Sequence, residues 1–415
     1  MSRIFYFIVL LAFIGAGCKS SAPPPQTTYQ DFVPANPMVH QVGTGIVDPT
    51  GKPLRLRGVN LGGWLLWEGW DFSRGADISE NKIDAGLTKL SSAPAVETFH
   101  QQIYSEFITE ADFQTIARLG FNSVRLPINY QILEDDTTPY MYKDSGWQLI
   151  DRALAWGEKY NVYVVLDLHA TPGGQSSFPP SNPNPGSPAL WRSSEDQNRT
   201  IALWKAIAQR YRNRKIVAGY DLLNEPFAPS GASLIDFYES LIAAIRGVDP
   251  AHMLILEGGG FSGDFSMFSG PLSQNEMYGF HMYNWFGDNR QTKLDALKRV
   301  SLAQQVPLWA GEFGDNTYAM IASTVALYEA PANGVSAGWS FWTWKKVPSK
   351  YPALVAVQVP PDWQAVINWV DSPGKNPQPS AATAQRAMDE FVQAVQLQNA
   401  RLDPAMNQAL TNVWH

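Results

Sequence analysis

Val217-Ala218-Gly219-Tyr220-Asp221-Leu222-Leu223-Asn224-Glu225-Pro226 is apolar for most of its length and turns polar at its C-terminal end. A short apolar run ended by proline reads as a strand buried on both faces. Pro226 removes a backbone donor and keeps Glu225 out of right-handed helical conformation, so the strand stops there. Asn224 and Glu225 are adjacent and would face opposite ways in a regular strand. Both reach one site only if the strand ends beside them.

The same pattern recurs through the chain. Runs at 54–60, 123–127, 162–169, 217–224, 253–257, 278–283, 308–312 and 337–344 make eight strand candidates. Helical spacing lies between them, as in Ile201, Trp204, Ala208 and Tyr211, or Leu294, Leu297 and Val300. Eight strands alternating with helices predict an α/β chain closed into a (β/α)₈ TIM barrel, a single catalytic domain over 37–415. The alternative is an open doubly wound sheet. That fold wants a glycine-rich phosphate turn, and Gly62-Gly63 lacks the spacing. Residues 42–47, the turn Asp48-Pro49-Thr50-Gly51 and residues 54–56 predict a hairpin closing the N-terminal face. Two connections are long, 64–109 and 170–194, and both follow strand C-termini, where such barrels keep their chemistry.

Polar residues gather at those ends. Arg125 closes the second run, His169 the third, Asn224 and Glu225 the fourth, His281 and Tyr283 the sixth, and Glu312 the seventh. Solvation does not explain so many in register. His281 and Tyr283 are two apart and face the same side, as do Trp342 and Trp344. Two carboxyl groups flanking a glycosidic bond suffice to hydrolyse it, one protonated to assist the leaving oxygen and one ionised to attack. Arg125 is the natural partner for an ionised carboxylate, and Tyr283 can donate a hydrogen bond to it. Glu257 is a third carboxyl at a strand end, followed by three glycines rather than a proline, and is read as a structural or rim residue.

These residues sit in motifs that carry a resemblance. Arg57-Gly58-Val59-Asn60-Leu61-Gly62-Gly63-Trp64, Val124-Arg125-Leu126-Pro127, Asp167-Leu168-His169, Leu223-Asn224-Glu225-Pro226, His281-Met282-Tyr283, Gly311-Glu312-Phe313-Gly314 and Phe341-Trp342-Thr343-Trp344 resemble glycoside hydrolase family 5, in the family's order. The resemblance implies a retaining β-glycosidase with Glu225 as acid/base and Glu312 as nucleophile. It implies that Arg125 and Tyr283 surround the nucleophile and that Asn224 partners the sugar 2-hydroxyl. It places His169 and His281 as site-shaping hydrogen-bond partners and Trp342 as the platform under that sugar, with Trp344 a further candidate. The opening Gly-Val-Asn-Leu-Gly-Gly-Trp is similar to the branch holding exo-β-1,3-glucanases and β-1,6-glucanases; some bacterial β-1,4-glucanases carry related openings. Phe313 stands where fungal members of that branch usually carry Trp. The expected partner is a β-linked glucan, with the linkage open among β-1,3, β-1,6 and β-1,4; mannan is an alternative β-glycan. A catalytically silent glycan-binding barrel would lack one of the two carboxylates, and both are present.

Composition narrows the remaining classes. A net charge of −7 offers no basic stripe for phosphates, so nucleic acid is not an expected partner. Charged residues are 17% and apolar residues 45%, which suits a packed core rather than disorder. Trp64, Trp67 and Trp70 read either as outer sugar platforms or as lid packing. His40, His100 and His252 have no partner spacing and are read as loop or surface residues. No paired metal motif appears, so neither a catalytic metal nor a cofactor is expected. At the N-terminus, Met1-Ser2-Arg3, an apolar run over 4–14 and Gly15-Ala16-Gly17-Cys18 resemble a bacterial lipoprotein leader over 1–17. The Ser/Pro/Gln/Thr-rich segment to residue 36 reads as a flexible tether. A monomer held to the cell envelope through lipidated Cys18, on the outer membrane or outside it, is expected.

Overall fold

The computed structural model describes residues 37–184, 186–284 and 287–414. The expected leader, Cys18 and the tether to residue 36 lie outside the described residues. In chain order the strands are β1 (His40–Val42), β2 (Gly45–Val47), β3 (Pro53–Leu54), β4 (Leu56–Asn60), β5 (Ser123–Asn129), β6 (Tyr163–Ala170), β7 (Val217–Asp221), β8 (Leu254–Glu257), β9 (Glu276–Tyr283), β10 (Leu308–Gly314), β11 (Gly338–Phe341), β12 (Lys345–Lys346), β13 (Val355–Ala356) and β14 (Arg401–Leu402).

Strands β4 to β11 form a closed barrel in sequential order, every neighbour parallel. The fold is therefore the (β/α)₈ barrel, and the open sheet is excluded by the β11–β4 pairing, with Gly338 opposite Leu56 and Phe341 opposite Val59. Apolar helical stripes cover the outside. In Ser194–Tyr211 the buried positions include Leu203, Trp204, Ile207, Ala208 and Tyr211; in Gly231–Arg246 they include Leu234, Phe237, Tyr238, Leu241 and Ile245. Caps of the expected kind start these helices, with Ser193 accepting from Asp196 N and Ser230 from Ser233 N.

The N-terminal hairpin is present as an antiparallel β1-β2-β3 sheet. Val39 and Ile46 pack with Leu56, Val165, Met253, Ile255, Met277 and Trp309 in one apolar cluster at the N-terminal ends of the barrel strands. A second small sheet, β12-β13-β14, has strands of two residues each, too short for any alternation to announce.

Several expectations change. The run 217–224 is strand only to Asp221, and 337–344 only to Phe341. The connection 64–109 holds helices Gly69–Phe72, Glu80–Leu90 and Ala93–Glu106. Their apolar faces pack on Pro361–Asp371 and Ala381–Val395, with Trp363 stacked on Phe391 at 4.3 Å and against Phe99 at 5.3 Å. Trp64 and Trp67 are completely buried in this layer: Trp64 Nε1 donates to Tyr104 O, and Trp67 stacks on His100 at 4.1 Å. Packing, not an outer platform, is the place of both.

The three histidines read as loop or surface residues are all buried, and only His252 lies in a loop, His40 being in β1 and His100 in the helix Ala93–Glu106. His40 Nδ1 bonds Met38 O, His100 Nε2 lies 2.9 Å from Asp84 Oδ1, and His252 Nδ1 lies 2.6 Å from Asp249 Oδ2. A buried imidazole needs partners, and for His100 the fold supplies them from a neighbouring helix.

Barrel closure rests on one glycine. Gly338 has φ +104°, and a Cβ there would lie 2.1 Å from Leu56 O on the closing strand. Gly338→Ala is expected to destabilise the protein by about 3 kcal/mol through this clash. Urea unfolding checks it, and a midpoint equal to wild type would contradict the reading.

Candidate active site

The C-terminal ends of the strands converge on one buried guanidinium. Arg125 in β5 is 0% exposed, although nothing in its own strand can neutralise it. Its partners come from the strands around it. Nε donates to Asp221 Oδ2 at 2.8 Å from β7, and Nη1 to Glu312 Oε1 at 2.7 Å from β10. Nη2 lies 3.1 Å from Asp167 Oδ2 in β6 and from Glu257 Oε1 in β8, and donates to Asn224 Oδ1 at 2.9 Å. Asn60 at the end of β4 accepts from Nη1 at 3.3 Å and donates to Gly311 O at 3.1 Å.

Around this hub the sequence-predicted residues come together. Both oxygens of Glu312 are held, Oε1 by Arg125 and Oε2 by the Tyr283 hydroxyl at 2.7 Å. The chain leaves the barrel after Asp221, and Glu225 adopts φ +45°, so Asn224 and Glu225 both turn into the site. Asn224 Nδ2 is buried and has no hydrogen-bond partner among the described residues. His281 Nδ1 lies 2.9 Å from Glu225 Oε1. Ligating atoms of Glu225, His281 and Glu312 lie within 4.8 Å of one another. His169 stacks beside Trp342 at 5.4 Å, with Nδ1 2.6 Å from Asp167 Oδ2 and Nε2 3.3 Å from Glu68 Oε1. Trp342 lies over Gly62, where a Cβ would come within 2.7 Å of its Cζ2. That close approach, rather than a phosphate turn, is what the glycine provides.

Trp344 does not join them. Because β11 ends at Phe341, the two-residue alternation stops, and Trp344 is fully buried with Nε1 donating to Asp112 Oδ1 at 2.8 Å. Phe313 packs against Tyr328, Trp339 and Phe341, in the apolar core.

The site also contains three carboxyl groups that motif reading left without a role, Glu68, Asp167 and Asp221, and a fourth, Glu257, read as a structural or rim residue. Glu257 is no rim residue; it is fully buried and bonds Arg125, the Glu225 backbone N–H and Ser262. Asp167 and Asp221 had one signal, a charge inside an otherwise apolar strand. Glu68 had none, since it lies in an irregular connection directly after Trp67.

Burial divides the protons among these groups. It pushes Asp167 up to about 8 against the pull of Arg125, and raises Asp221 well above the carboxylate range with the Glu257 charge adding. It raises Glu225 as well, against the hydrogen bond from His281 and with help from the Glu312 charge. Burial acts on Glu257 in the same sense, but His281 and Arg125 outweigh it and bring that group down to about 2. Burial and Arg125 depress His169 to about 3, so it is neutral. His281 is the reverse: burial works against its charge, and Glu257 and Glu312 hold the proton well above the ordinary value. Glu225, His281 and Glu312 could share an ion by spacing, as could Glu80, Asp84 and His100. In both groups the histidine is already bonded to one of the carboxyls, and charge pairing accounts for the grouping.

Removing the hub exposes its worth. Arg125→Leu leaves Asp167, Asp221, Glu257 and Glu312 buried without their cation and is expected to cost roughly 3–5 kcal/mol. Groups whose folded pKa is raised lend stability at low pH and lose it as pH rises, so the deficit shrinks from about pH 8 to about pH 5. Unfolding at the two pH values measures this; a deficit independent of pH would refute it.

Comparison with known proteins places the architecture. The cellulase family model, glycosyl hydrolase family 5, matches residues 78–347. A β-xylosidase of Phanerodontia chrysosporium is 33% identical over 339 residues, covering 74% of this chain and 70% of that protein. A probable glucan 1,3-β-glucosidase A of Aspergillus fumigatus is 33% identical over 251 residues, 58% of either chain. A solved rutinosidase from Aspergillus niger shares the fold, with a TM-score of 0.59 at 16% identity over 77% of this chain and 97% of that one. The match over most of the barrel, together with the full-strength relative, makes this chain a glycoside hydrolase of family 5.

Proposed function

We propose that the protein is a retaining β-glycosidase that hydrolyses β-linked glucan by double displacement. The observation that carries this reading is the proximity of two differently held carboxyls. One oxygen of Glu225 and one of Glu312 lie within 4.8 Å of each other, which supports the close pairing of carboxyls that retaining enzymes use.

In the first step Glu312 attacks the anomeric carbon while Glu225 gives its proton to the departing oxygen. The bond to the leaving group breaks and a glycosyl ester forms on Glu312. In the second, Glu225 takes a proton from water as that water attacks, and Glu312 leaves. The hydrogen bonds from Arg125 and Tyr283 fix the plane of the nucleophile. Burial keeps a proton on Glu225, which suits an acid. Asn224 Nδ2, with no hydrogen-bond partner among the described residues, bonds the sugar 2-hydroxyl in this reading, and Trp342 lies under the ring. The relatives named as glucosidase and xylosidase favour release from a β-linked sugar chain.

Glu312→Ala is expected to be nearly inactive on every substrate. Glu225→Ala keeps its first step on a dinitrophenyl β-glycoside, whose leaving group needs no acid, and added azide restores turnover as the β-glycosyl azide. Azide with Glu312→Ala yields the α-azide. Reversed products would exchange the two roles. Product profiles on laminarin, pustulan, lichenan, carboxymethylcellulose and an aryl β-xyloside select the substrate; activity on none of them would overturn the glucan assignment.

For location, the Cys18 context supports an envelope lipoprotein. Cys18→Ser is expected to move the protein from the membrane fraction to the soluble one, and unchanged membrane retention would refute lipidation.

A further inference from the structure

Glu257 ends the fifth barrel strand; one of its oxygens reaches the Glu225 main chain and the other the imidazole that bonds the Glu225 carboxyl. Oε2 accepts the Glu225 backbone N–H at 2.7 Å and also bonds the Ser262 hydroxyl. Oε1 lies 3.1 Å from His281 Nε2, and the other ring nitrogen of His281 lies 2.9 Å from Glu225 Oε1. The result is a closed loop: Glu257 carboxylate, Glu225 main chain, Glu225 carboxyl, His281, and back to Glu257.

Two features say that the loop has a task. Glu225 has φ +45°, a region that costs free energy for any residue with a side chain, and an anionic acceptor on its N–H is a strong way to hold it there. The other groups facing the loop are already engaged. Arg125 is divided among Asp167, Asp221, Glu257 and Glu312, Tyr283 is bonded to Glu312, and the Tyr238 hydroxyl meets the Glu257 backbone. Glu68 faces His169. Among the described residues, Glu257 meets both the main chain of Glu225 and the imidazole that bonds its carboxyl.

We propose that Glu257 is the positioning residue of the acid/base, setting the Glu225 backbone directly and aiming its carboxyl through His281. This rests on the assignment of Glu225 as acid/base above. Glu257 needs no contact with substrate; its effect is on where the Glu225 proton points.

The test separates aim from general damage. In Glu257→Gln, kcat/KM on an oligosaccharide or alkyl glycoside, which needs acid assistance, is expected to fall about tenfold more than on the dinitrophenyl glycoside, which does not. Selective ¹⁵N labelling of histidine gives a second readout: Glu257 and Glu312 hold the His281 proton above the ordinary value, so an imidazolium signature is expected at about pH 7 in wild type and its loss in the variant. Equal loss on both substrates with an unchanged His281 signal overturns the proposal. Should Glu257→Gln not fold, Ser262→Ala removes one bond to Oε2 and no charge, and is expected to show the same preference at about threefold; equal loss there overturns it as well. Glu225→Ala is the control. If it lacks the leaving-group preference, the acid/base assignment fails and this proposal with it; if it shows the preference and Glu257→Gln does not, only the proposal fails.

Discussion

A guanidinium that cannot reach water must be paired, and in this barrel nearly everything at the C-terminal face follows from that. Arg125 is inside a strand whose neighbours are packed on both sides. Its charge is met by side chains from β4, β6, β7, β8 and β10, so one cation ties together more than half of the barrel strands at their ends. The converse constraint holds too. Asp167, Asp221 and Glu257 are completely buried, and each would be costly without the cation they share.

Crowding of carboxyls around one arginine also forces them to differ. They cannot all ionise in so small a volume, so protons are retained where burial dominates and lost where cations are nearest. Asp167, Asp221 and Glu225 lie on the first side, and Glu257, beside both Arg125 and His281, on the second. A protonated acid within a few ångströms of an attacking carboxylate is what glycoside cleavage requires. Here that contrast arises from strand geometry rather than from any unusual residue. The same geometry explains the split between the two histidines: His169 is near Arg125 and neutral, and His281 is bracketed by carboxyls and charged.

Much of this was readable before any coordinates. The eight apolar runs correspond to the eight barrel strands, and the polar residues at their ends, Arg125, His169, Asn224, Glu225, His281, Tyr283 and Glu312, meet in one place. Two-residue spacing put His281 and Tyr283 on one side correctly because β9 stays regular through Tyr283. It misplaced Trp344 because β11 stops at Phe341. His100 looked solitary because a histidine's partner need only be near in space, and Asp84 is 16 residues away; the partner of His252, Asp249, is a sequence neighbour at i−3 and was legible. Sequence leaves Glu257 between a structural and a rim place because its partners lie 32 and 132 residues away at Glu225 and Arg125; its burial decides for the structural one.

Local pattern by itself determined eight buried strands alternating with helices, because burial on both faces demands apolar runs; closure into a barrel rather than an open sheet was decided by the β11–β4 pairing. It also determined where chemistry would gather, because a polar group at the end of a buried strand is there at a cost and needs a reason. Only the tertiary structure decided which carboxyl holds a proton, which histidine is charged, and that Glu257 belongs with Glu225. Those properties depend on distances of a few ångströms between strands far apart in sequence, and electrostatic energy in a buried site is set by those distances.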